Sequence, residues 1–81
     1  MIKQVPFTEE IIKRMMPVGN IITMRCVGTD IVIDGLITAH ITRDGLFAVL
    51  VGQRTFLPQE LMNWEYQGKE GWIPMYMEVE E

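Results

Sequence analysis

The spacing of apolar residues changes once along this chain, near Asn20, and that change limits the fold more than any other feature. Before it, Ile11, Ile12, Met15 and Met16 recur at helical spacing. After it, the period falls to two. Ile22, Met24 and Cys26 then share one strand face, and Ile21, Thr23, Arg25 and Val27 share the other. One short helix followed by a succession of strands is the predicted order.

The helix has well-marked ends. Thr8 is placed to cap it, Glu9 and Glu10 oppose the positive end of its dipole, and Phe7 and Ile12 are spaced as a hydrophobic staple. Pro17 cannot continue it and Gly19 suits the exit, which gives a helix over about 8–16. So short a helix is unstable alone and must dock on a sheet. Residues 1–7 read as a lead-in or an edge strand.

Strands are predicted over about 20–27, 31–42, 46–51, 54–57, 63–67 and 72–79. Asp34-Gly35 interrupts the second of them and marks a bulge or a sharp bend. Beyond it, alternation assigns Ile37, Ala39 and Ile41 to the apolar face and Thr38, His40 and Thr42 to the other. Asp44-Gly45 and Gly52-Gln53 are two-residue hairpin turns. Between them, Leu46–Val51 is apolar throughout, the pattern of a central strand covered on both faces or nearly so. Pro58-Gln59-Glu60-Leu61 reads as one helical turn. The predicted fold is a single mainly-β domain over 1–81. It is a small, strongly bent antiparallel sheet or a barrel of five to six strands, with one short N-terminal helix.

Composition excludes several classes. A hydrophobic fraction of 48% is too high for a disordered chain. Ten isoleucines and seven valines suit a pleated sheet. A domain of 81 residues buries only roughly 60–65% of its unfolded surface, so a homo-oligomer, which adds burial, is left open. A single cysteine makes neither an internal disulfide nor a thiolate zinc site. There is no serine and only one histidine, so the expectation is no enzyme, no metal site and no cofactor. Cys26 reads as a small core residue, His40 as a surface or partner-facing one, and Asp30 and Asp34 as turn residues. No apolar run approaches the ~18 residues of a membrane span, and Met1-Ile2-Lys3-Gln4 does not open a signal peptide, so a cytoplasmic location is expected.

The stretch Asn63-Trp64-Glu65-Tyr66-Gln67-Gly68-Lys69-Glu70-Gly71-Trp72-Ile73-Pro74 resembles the end of a Src-homology-3 domain. There, a strand tryptophan precedes a Gly-x-x-Gly-aromatic-apolar-Pro element and a final strand. The resemblance implies a small barrel geometry. It does not carry over proline-rich peptide binding, because the Ala-Leu-Tyr-Asp-Tyr opening and the acidic loop of that family have no counterpart here.

Charge and aromatics point to one end of the chain. Residues 1–54 carry +1 and residues 55–81 carry −5, and both tryptophans and both tyrosines lie in the latter. Trp64, Tyr66, Trp72 and Tyr76, with Glu65 and Glu70, are therefore the candidate partner-binding residues, suited to a protein with a basic surface. The expected function is a non-catalytic interaction module that occludes or bridges a partner, by analogy with small phage and mobile-element inhibitors. The alternative is a nucleotide-like small-ligand binder, formed as an oligomer, in which an aromatic side chain stacks the base and Arg25, Arg43 or Arg54 holds phosphate. Direct nucleic-acid binding is disfavoured by the net charge of −4.

Overall fold

The computed structural model describes all residues, Met1–Glu81. The elements run β1 (Ile2–Pro6), α1 (Glu9–Met15), β2 (Ile21–Cys26), β3 (Val32–Arg43), β4 (Leu46–Val51), β5 (Arg54–Phe56), α2 (Pro58–Leu61), β6 (Trp64–Gly68), β7 (Gly71–Pro74) and β8 (Tyr76–Glu80). All pairings are antiparallel. Six strands form one sheet in the order β5-β4-β3-β2-β6-β7, and β1 and β8 form a separate ribbon. No helix is long and apolar enough to cross a membrane.

Local chemistry explains the elements. The Thr8 hydroxyl accepts the Ile11 N–H at the start of α1, and Phe7 and Ile12 are both buried in the core, as the staple spacing predicts. Asp44 and Gly45 both take positive φ, the geometry of a type I′ hairpin turn, and Gly52 leads the next turn with φ 61°. The last predicted strand is two strands. β7 pairs with β6, the chain breaks at the fully buried Met75, and β8 turns away to pair with β1.

β3 is the spine of the sheet. Residues 32–36 pair with β2, and from Ile37 onward the strand pairs with β4. Where the partners change, Gly35 lies against Val51, and the Leu36 carbonyl accepts the Gly52 N–H at 2.7 Å. The sheet thus has two wings: β2, β6, β7 and the first part of β3; and β4, β5 and the rest of β3.

A β-bulge between Ile37 and Ala39 corrects the sequence expectation for the second half of β3. Two residues of β3 there face one of β4, so the alternation inverts. Ile37 stays in the core opposite Val51, but Ala39 and Ile41 turn outward with Leu50 and Ala48. His40 and Thr42 turn inward, opposite Val49 and Phe47. His40 is half-buried on the inner side rather than on the outer face: its Nε2 lies 2.7 Å from the Met16 carbonyl at the end of α1, and its ring lies against Phe47.

The core sits on the inner side of both wings, under α1. It gathers Phe7, Ile12, Met16, Met24, Ile37, Val49, Val51, Phe56, Leu61, Trp64 and Met75. The Cys26 side chain packs against its margin, in line with the core reading. α1 is also tied to the second wing by a Thr42–Glu9 hydrogen bond. The sheet does not close into a barrel: β5 and β7 remain unpaired edges. They are three and four residues long, and Pro74 has no N–H to offer a further strand.

Candidate functional site

The four expected aromatics do not form one surface. Trp64 pairs with Cys26 and is only 7% exposed. It meets Phe56 edge-on at 5.6 Å, and the Arg54 guanidinium stacks over both rings at 5.0 and 5.1 Å. Tyr66, opposite Met24, is half-buried and packs on the core. Tyr76 belongs to the β1–β8 ribbon, where its hydroxyl accepts a hydrogen bond from Gln4. Of the four, only Trp72 lies on the outer side of the sheet, and it is half-buried beneath Arg25.

The outer face of the first wing is polar and self-paired over β6, β7 and the middle of β2, and apolar at its far end, where the opposed Ile21 and Leu36 are 74% and 47% exposed. Arg25 and Glu65 sit opposite each other on β2 and β6. Arg25 Nε donates to Glu65 Oε1 at 2.6 Å, and its guanidinium lies 4.4 Å from the centre of the Trp72 ring. One strand further along, the Thr23 hydroxyl donates to Asp34. Arg25 is therefore committed to a carboxylate and a ring and is poorly placed to hold phosphate. Glu70 is exposed in the β6–β7 turn, apart from this cluster.

The outer face of the second wing is different. Ile41 and Ala48 are opposite each other on β3 and β4, Arg43 is opposite Leu46, and Thr55 on β5 is opposite Leu50. These side chains, with Asp44 in the turn and Leu57 after β5, line an open groove of about 370 Å³. Ala48 is its floor: it is 8% exposed, yet it lies outside the core cluster, because the larger groups around it shade it. Leu46 stands up at one end at 65% exposure, and Ile41 is 40% exposed. No other element covers the outward face of Leu46–Val51: its own neighbours shade Ala48 and half-bury Leu50, and Leu46 is left open, which is less cover than the sequence pattern predicts.

Arg43 and Asp44 are exposed at the groove, and neither takes part in an ion pair. Arg43 is the one expected site residue that this groove contains. Ile41, Leu46, Ala48, Thr55 and Leu57 were missed as site residues. For Leu46 and Ala48 the signal was the unbroken apolar run of β4, which supplies two apolar faces where the core can cover only one; Ile41, Thr55 and Leu57 join them only through the pairing of β3 and β5 with β4. Comparison with protein-family models, curated proteins and solved structures finds no match for the chain.

Proposed function

We propose that this chain is a non-catalytic protein-interaction module whose working surface is the open outer face of the second wing. One observation carries the reading. Leu46 and Ile41 keep large apolar side chains in water around a groove, whereas the exposed Ile21 and Leu36 of the first wing line no concavity. Exposed apolar side chains grouped around a concavity and rimmed by charge are the ordinary anatomy of a docking site. The surface differs from the one expected on the aromatic residues, because Trp64 and Tyr66 serve the core and Trp72 serves Arg25.

The test is site-directed photocrosslinking in cells. A benzophenone side chain is placed at position 46 in one version of the protein and at position 72 in another. Adducts from position 46 and none from position 72 are the expected result. Adducts confined to position 72 would return the docking surface to the aromatic strand and sink the reading.

A further inference from the structure

We propose that the occupant of this groove is a second copy of the same chain, seated face to face about a twofold axis. The inference rests on the reading that the outer face of the second wing is the working surface, and it names the partner. A twofold interface must be complementary to itself, so one patch has to hold both halves of every contact. This patch does. It has a knob, Leu46 at 65% exposure, and a hole, the groove floored by Ala48. It has one positive and one negative side chain, Arg43 and Asp44, adjacent in sequence and both free of ion pairs. A dyad crossing β4 at Phe47 lays the two hairpins antiparallel, with Leu46 of each copy over Ala48 of the other and Arg43 of each copy, which is opposite Leu46 in its own hairpin, beside Ile41 of the other.

The charge distribution favours this partner over a basic protein. The acidic excess lies in residues 55–81, with Glu65, Glu70, Glu78 and Glu80 on β6, β8 and the β6–β7 turn. The groove lining carries one charge of each sign and is neutral. Two chains of net charge −4 therefore meet here without apposing like charges, whereas a basic surface would find only Asp44 to pair with. Association also supplies burial that a domain with 12 buried residues lacks.

The experiment is sedimentation velocity and light scattering of the full chain from low micromolar to near-millimolar concentration. Wild type is expected to approach twice its 9.4 kDa mass. Ala48→Glu fills the groove with an outward-facing charge and should leave a folded monomer, with folding checked by circular dichroism. Leu46→Ala removes the knob and Ala48→Leu fills the hole, and each should weaken the dimer roughly tenfold or more. The combined L46A/A48L chain returns the lost bulk from the opposite side and should recover most of that loss. It keeps an uncharged surface, so recovery can be read even if the Glu variant is poorly folded.

A wild type that stays monomeric throughout overturns the proposal, as does a dimer indifferent to these substitutions or a double variant no better than the singles. Failure here is separable from failure of the docking reading. A monomer that still crosslinks from position 46 to another protein removes the second copy as occupant and keeps the surface. A dimer with no adduct from position 46 removes both.

Discussion

The two wings share β3, and both turn apolar side chains outward, Ile21 and Leu36 on the first and Leu46 and Ile41 on the second, but only the first also builds a paired and stacked polar cluster there. The first wing places Thr23 beside Asp34 and Arg25 between Glu65 and Trp72, so its polar groups are satisfied within the chain. The second places Ile41, Leu46 and Ala48 outward, and its charged neighbours Arg43 and Asp44 find no ion pair. The difference arises at the bulge between Ile37 and Ala39, which exchanges the faces of every later residue in the strand. A single extra residue thus decides that Ile41, and not His40, lines the groove.

The largest expected effect contrasts the two tryptophans. Trp64→Ala should cost about 3–5 kcal/mol, the usual range for deleting a buried aromatic. The same change at Trp72 removes a half-exposed ring and one cation–π contact, and should cost about 1 kcal/mol. A chain of this size has about 4–12 kcal/mol of stability in all, so Trp64→Ala should be close to unfolding. Urea denaturation followed by circular dichroism measures both. Equal losses would mean that the inner and outer faces carry similar packing and would break the contrast.

Next in size is the joint between the wings. A Cβ at Gly35 would overlap Cγ1 of Val51, a nearly fully buried and β-branched side chain with few rotamers to escape into. Gly35→Ala should therefore cost about 1–3 kcal/mol through overpacking. Gly35 has no positive φ, so backbone strain adds nothing. Restoration by the double variant with Val51→Ala is the expected check, and its absence would move the cause away from that contact.

What could be read in the sequence was what local chemistry decides. The cap at Thr8, the staple of Phe7 and Ile12, the Asp44-Gly45 turn and the helical turn at Pro58 each depend on a few neighbouring residues, and each appears in place. The bulge depends on none of them. No glycine or proline marks Thr38, while the sequence signal for a bend lies earlier, at Asp34-Gly35. Alternation carried past that point put His40 outside and Ile41 inside, the reverse of what is found. Trp64 was illegible for a related reason. β6 has aromatics on alternate positions with Glu65 between them, and only its pairing with β2, Cys26 opposite Trp64, decides that the aromatics face the core.

The smallest effect tests the paired and stacked polar cluster of the first wing. Arg25 and Glu65 are directly opposite across β2 and β6, with side-chain exposures of 34% and 14%. Partial solvent contact limits their coupling to about 0.5–1 kcal/mol, measured by a double-mutant cycle of Arg25→Ala and Glu65→Ala. The two single variants should differ in order. Glu65→Ala leaves Arg25 its place over Trp72 and its access to water. Arg25→Ala removes the cation–π contact and leaves the less exposed carboxylate without its cation, so it should be the costlier of the two. Added salt should shrink the coupling, though less than for a fully exposed pair, because water reaches only part of it. If Glu65→Ala proves costlier, the ion pair rather than the stacked ring organises that face. The contrast between the wings would then rest on the placement of one carboxylate.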